Sequence, residues 1–171
     1  MNTKQLMTTL TAYNARANEQ LVNWLSDKPL EALNQEIASS FNSLLKTLNH
    51  IWAIDEFWFA TLTQQFPFAN RYGLEELDRD EVFSGLLMRS KALAEAVQNM
   101  TEEQLSERIS VVSPWLEATL PRAAYIQQIV NHASYHRGQI VTLARHTGLT
   151  DIPNTDYIFF AAMTDQVNVP A

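Results

Sequence analysis

Hydrophobic positions recur at helical spacing in four long stretches of the chain. Leu6, Leu10, Tyr13, Ala17, Leu21 and Trp24 lie three or four residues apart, which puts them on one face of an amphipathic helix over residues 2 to 26, closed before Pro29. A second series, Phe41, Leu44, Leu45, Leu48, Ile51, Trp52, Phe59 and Leu62, follows the capping candidates Ser39 and Ser40 and runs to Gln65, before Pro67. Ile54, Phe57 and Trp58 fall outside that stripe, so this helix is apolar on more than one face and is expected to be the most buried. The third helix opens at Asp78 and Glu81, which have capping-box spacing, and turns Phe83, Leu86, Leu87, Leu93, Val97 and Met100 inward. "TEEQ", residues 101–104, repeats the capping-box pattern and predicts a short helical turn.

From Arg108 to Thr119, β-branched residues flank a Ser-Pro pair, which predicts a long crossover loop with room for a minor β-hairpin. Pro121 suits the first position of the fourth helix, which is expected to run to Thr147 and stop at Gly148. The expected fold is all-α: a four-helix bundle with one long crossover connection, formed as a single domain over residues 1–171. Sites in such bundles are built from side chains on facing helices.

The fourth helix carries the chemistry. Tyr125, Ile129, His132, His136, Ile140 and Leu143 form one stripe, so two histidines lie inside an apolar seam. Residues four apart have Cβ atoms roughly 5–6 Å apart, and both imidazoles can reach one metal ion at about 2.0–2.1 Å. Desolvation and mutual repulsion favour the neutral, metal-competent form. The same spacing also fits two buried histidines bonded to a carbonyl or a hydroxyl. His50 adds a third imidazole from the middle of the second helix, beside Leu48, Ile51 and Trp52. His146, ten residues after His136, points elsewhere and suits the negative end of its helix. Free histidine protonates near pH 6.5, so affinity for a metal is expected to collapse as pH falls through about 6.

Composition narrows the partners. There is no cysteine, so any metal is held by nitrogen and oxygen, and neither a disulfide scaffold nor a thiolate site is available. A net charge of −7 with scattered basic residues offers no stripe for a phosphate backbone, so nucleic acid is not expected as a partner. The most apolar stretch, "IWAIDEFWFATL", is interrupted by Asp55 and Glu56 and is too short to span a bilayer, and the N-terminus lacks a signal-peptide run. The expectation is a soluble, cytoplasmic protein without a membrane partner. Only the terminal "NVPA" reads as loose.

Tyr13-Asn14 and Ala17-Asn18 in the first helix, His50 followed by Trp58 in the second, "HASYHRGQI" in the fourth, and Gly148, Pro153, Asp156 and Phe159 in the tail together resemble the DinB/YfiT-like family. The resemblance covers nearly the whole chain, and its most specific piece is H-x-x-x-H-R-G-Q, His132 to Gln139. It implies a four-helix bundle with a histidine triad for a divalent metal, zinc or nickel foremost and iron as a further option, in a homodimer. It places His50, His132 and His136 at the three ligand positions. This chain departs from the pattern at Arg16, where Trp is common, and at Tyr135, where many members have a further His. Gly138, costly inside a helix, predicts a close approach by a neighbouring helix, while Arg137 and Gln139 read as braces for a loop or a partner helix.

Three neutral ligands describe an open site, the kind that performs chemistry. The resemblance implies a small-molecule substrate handled by a thiol-linked transferase, with a low-molecular-weight thiol as partner; hydrolysis is the other use of such a site. The alternative is a non-catalytic, stress-related binding or assembly bundle with a structural metal or none. Asp55 and Glu56 are the nearest carboxylates in sequence to His50 and fit either a base or partner for the site or a solvated face. Ser134 projects from a different face than the histidines on either side of it, and no nucleophile elbow is present.

Overall fold

A computed structural model of the chain describes residues 1–65, 70–73 and 76–164. Pro67 and the terminal "NVPA" lie outside the described residues. Helix α1 spans Thr3–Leu25, with Asn2 and Gln5 forming a capping box. A five-residue helix α2, Leu30–Asn34, follows Pro29. Helix α3 spans Leu44–Thr63, α4 spans Arg79–Asn99 and α5 spans Glu102–Ser106. Strands β1, Arg108–Ser113, and β2, Leu116–Pro121, lead into α6, Arg122–His146, and a short helix α7, Tyr157–Thr164, closes the described chain.

The four long helices form a ring in the order α1, α4, α3, α6, each packed on two neighbours. The all-α bundle expected from the hydrophobic pattern is therefore present, and the crossover holds the hairpin. Its strands pair antiparallel from Arg108 opposite Pro121 to Ser113 opposite Leu116, around a tight Pro114-Trp115 turn. Alternation along β1 buries Ile109 and Val111 against the bundle, the two-residue period expected of a half-covered strand.

Three boundaries differ from expectation. Helix α3 starts after Ser43, whose hydroxyl accepts from the Lys46 N–H; Ser39 instead accepts from the Asn42 N–H and closes a turn in which Asn42 has φ 59°. Phe41 is thereby outside the helix. Pro121 takes the cap position and α6 begins one residue later; the helix ends at His146, before Gly148 at φ 78°. Helix α7 has no counterpart in the sequence reading: Tyr157 and Phe160 pack their rings on Tyr13, which supplies an apolar surface that the local sequence does not reveal.

As expected, α3 is buried on several faces. The close helix approach expected at Gly138 is elsewhere. A Cβ at Gly138 would meet nothing within 4 Å, whereas one at Gly85 would lie 2.1 Å from the Trp52 ring, so Gly85 is what lets α4 and α3 approach.

The core divides into two large apolar clusters and a small third one of Tyr13, Ala17 and Val130. Of the large two, one holds Leu21, Leu48, Trp52, Leu86 and Ile140; the other holds Met7, Trp58, Leu62, Leu93, Tyr125 and Ile129. On α1, α3 and α4 buried polar residues fall between the positions that join these clusters, namely Asn14 and Asn18, Asp55, and Ser90, and Arg137 of α6, flanked by Ala133 and Ile140 of the first cluster, reaches Asn14 and Asn18. A polar layer thus crosses the bundle at mid-height.

Candidate metal centre

Helices α3 and α6 face one another, and their apolar stripes bring His50 against His132 and His136. The Nε2 atoms of His50 and His132 are 3.1 Å apart and those of His132 and His136 3.0 Å apart. The potential ligand atoms of all three lie within 4.8 Å of one another. Donors about 2.0–2.1 Å from a common cation sit roughly 3.0–3.4 Å apart, so two of the three spacings already match coordination of one ion.

The surroundings prepare these nitrogens for a cation. His136 Nδ1 lies 2.7 Å from Gln139 Oε1. An amide oxygen only accepts, so the proton belongs on Nδ1 and Nε2 presents its lone pair. The Gln139 amide reaches the Ser40 hydroxyl at 3.4 Å, tying the ligand to the loop before α3. Phe41 stacks on the His50 ring with centroids 3.9 Å apart and meets His136 edge-on at 5.4 Å. Burial, then the neighbouring His136, pulls His50 down to about 4. Burial, then His136 and His50, pulls His132 down to about 3. His136 is lowered by burial, against the opposing effect of its bond to Gln139. All three are neutral at pH 7; an N–H on His132 Nε2 can bridge to a neighbouring ring, and a cation among the three would engage all three lone pairs at once. The loss of affinity expected near pH 6 therefore moves lower, because protons compete for these imidazoles only in a more acidic range.

His132 Nδ1 is buried without a hydrogen-bond partner among the described residues, so the outer support found on His136 is not repeated there. His146 is exposed in the last turn of α6, away from the triad, as expected. Tyr135 is 65% exposed and sets its ring edge-on to His136 at 5.0 Å, which makes it a rim residue.

Neither carboxylate singled out from the sequence serves the triad, and neither lies on a solvated face. Glu56 is buried, accepting from Trp52 Nε1 at 2.8 Å and holding Arg89 through two bonds of 2.9 and 2.8 Å. Asp55 is fully buried with neither oxygen hydrogen-bonded; burial pushes its carboxyl up to about 8 against the opposing charge of Arg137. Arg137 braces α1, donating to Asn14 Oδ1 at 2.6 Å and Asn18 Oδ1 at 2.9 Å, and to Ser134 at 2.7 Å on its own helix.

A DinB family profile matches residues 1–168. The chain belongs to the DinB family. Protein DinB of Bacillus subtilis is 30% identical to this DinB family member over 165 residues, covering 91% of this chain and 93% of the relative. An uncharacterized Bacillus subtilis protein, YrdA, is 30% identical over 141 residues, covering 81% and 79%. The fold is similar to crystal structures of a DinB-like protein from Bacillus cereus, TM-score 0.68 at 22% identity over 84% of this chain and 91% of that one, and of another from Bacillus subtilis, TM-score 0.62 at 17% identity over 88% and 98%.

Phe41 and Gln139 were not read as site residues from sequence. Gln139 carried a usable signal, since a residue three after His136 on a helix lies within reach of its ring. Phe41 carried none, because it reaches His50 from a loop.

Two cavities adjoin the triad. One, of about 260 Å³, is lined by His50 with Lys46, Asn49 and Arg71. The other, of about 440 Å³, is lined by His132 with aromatic and aliphatic side chains of α3, α6 and the hairpin. Among the described residues no helix is long and apolar enough to cross a membrane.

Proposed function

We propose that this DinB family protein is a divalent-metal-dependent enzyme in which His50, His132 and His136 hold the ion, and that its reaction joins two small molecules, one of them a low-molecular-weight thiol. The observation that carries this reading is the convergence of three neutral imidazole nitrogens at the meeting of two cavities of different character. Zinc or nickel suits the nitrogen ligands best, and iron is compatible with them. A divalent cation held there supplies Lewis acidity, which ionises a thiol or a water near neutral pH and polarises a carbonyl. The chain's own residues do the positioning. Gln139 fixes the orientation of His136, and Phe41 fixes that of His50. Lys46 and Asn49 present polar donors to one cavity, which suits a molecule rich in acceptor groups, while the apolar cavity excludes water from the opposite approach.

Two accessible sides favour transfer over hydrolysis, since hydrolysis needs a site for one organic substrate only. Cobalt-substituted protein tests this directly. Adding a low-molecular-weight thiol is expected to produce a thiolate-to-cobalt charge-transfer band in the near ultraviolet. A spectrum unchanged across the common cellular thiols would reject the thiol-linked reading and leave hydrolysis. The homodimer forms part of the proposal, and light scattering is expected to give twice the 19.5 kDa mass of the chain.

A further inference from the structure

The cavity of about 440 Å³ beside His132 is lined by Ile54, Phe57, Trp58, Trp115, Leu120 and Tyr125 among others, and among the described residues none of its lining is Lys, Arg, Asp or Glu. We infer that this cavity takes an uncharged, ring-bearing molecule and presents it to the metal centre as the second substrate. Its role as a substrate site rests on the enzyme reading above; its choice of ligand rests on its walls alone.

The volume lies within the usual range for small-molecule sites, roughly 300–1,000 Å³. An ionic group placed here would lose water and find no counter-charge, so a neutral ligand is selected. The walls select for rings. Phe57 meets Trp58 at 74° with centroids 4.9 Å apart and meets Trp115 at 79° and 5.8 Å, so both the faces and the edges of aromatic rings surround the space.

The site is also preformed. Trp58 stacks on Tyr125 at 5.2 Å. The Tyr125 hydroxyl accepts from the Leu120 N–H at 3.2 Å and faces the carbonyls of Ile109 and Ala118, each at 3.1 Å, which pins both strands of the hairpin to α6. The hairpin therefore stands as a fixed wall with Trp115 at its tip. Trp115 is 65% exposed yet reaches back to Phe57 and to Tyr72, a residue of the smaller cavity. Its ring thus touches a wall residue of each cavity. Ser113, Gln128 and His132 are the polar side chains of its lining, and of these His132 belongs to the triad, so a ring seated between Trp58 and Trp115 can present its reactive group to an imidazole of the triad.

The test uses 2-naphthol and 2-naphthalenesulfonate, which share a ring system and differ in charge, with the full-length protein both metal-loaded and metal-free. In ligand-observed and imidazole NMR, 2-naphthol is expected to bind and shift the His132 ring resonances, and the sulfonate to bind at least about tenfold more weakly. Ala124→Trp, which fills the cavity from α6, and Leu116→Glu, which places a charge at an exposed hairpin position of its wall, are each expected to weaken 2-naphthol about tenfold while leaving helicity and metal content unchanged. Equal affinity for the two probes, an undisturbed His132, or undiminished binding in both variants would overturn the inference. The two readings separate cleanly: naphthol binding to a protein that takes up no metal sustains the cavity and removes the enzyme, and metal uptake without naphthol binding does the reverse.

Discussion

Consecutive residues on α6, His136 and Arg137, open onto two buried polar clusters of opposite character. The Arg137 cluster links helices: its guanidinium donates to Asn14, Asn18 and Ser134, and Asn18 in turn donates to Ser90 at 2.9 Å, so α1, α4 and α6 are joined through one side chain. The histidine cluster is held from outside by Gln139 and Phe41 but turns inward on itself. Its three imidazoles face one another at contact distance with no charged group among them, and one shared N–H cannot satisfy all three lone pairs. A buried polar group is tolerated when the protein supplies its partner. The first cluster meets that rule at most of its atoms, Arg137 Nε and Asn14 Nδ2 being the exceptions among the described residues, and its bonds tie helix to helix in service of the fold. The second gathers three nitrogens able to hold one ion at one point in space, which is what supports the proposed ligand site.

Substitutions sharpen the contrast. Arg137→Ala removes a buried cation and strands the oxygens of Asn14 and Asn18; the expected loss is about 3–5 kcal/mol in chemical denaturation. A loss below about 1 kcal/mol would show that the network is not what joins these helices. Gln139→Leu leaves the three ligands in place but frees the ring of His136, and zinc affinity is expected to fall about 10- to 100-fold in a competition titration, with little change in the metal-free melting curve. Unchanged affinity would make the Gln139 contact incidental to the site.

His132→Ala sends the comparison the other way. It deletes a buried nitrogen that already lacks a partner, so the metal-free protein is expected to lose less than about 1 kcal/mol even as metal binding disappears. A loss as large as that of Arg137→Ala would place the triad among the fold's own supports.

The pH response is the mildest effect, and its sign follows from the depressed imidazoles. In the unfolded chain each protonates near 6.5, whereas in the folded chain His50 is held down to about 4 and His132 to about 3. Between those limits the unfolded state binds more protons, so the metal-free protein is expected to keep its full histidine contribution above about pH 6.5 and lose it progressively toward pH 4. Zinc affinity of the folded protein is expected to begin its fall at a lower pH than free imidazoles would set. A midpoint of metal loss at pH 6 would mean that these histidines are solvated.

Much of this was legible in the residue pattern, for a reason that also explains what was not. The long helices follow from apolar spacing, and the triad follows from spacing as well: His132 and His136 are one turn apart, and His50 sits where a polar ring is conspicuous in an apolar helix. Contacts that cross from loops or between distant helices leave no such trace. Phe41 belongs to His50 only because Ser39 and Asn42 turn the chain back toward it. Gly138 read as a helix contact because glycine is costly in a helix, yet the clash that requires glycine is set by Trp52 at Gly85, on another helix. The carboxylates after His50 were read by proximity in sequence, whereas Arg89 and Arg137, from α4 and α6, determine their surroundings.

The central claim, that the triad holds a divalent cation, is tested most directly by elemental analysis of untagged protein purified without chelators, beside His136→Ala checked for helicity by circular dichroism. The account predicts close to one zinc, nickel or iron per chain in the wild type and none in the variant. Folded wild-type protein that carries no metal and takes up no added zinc would contradict it.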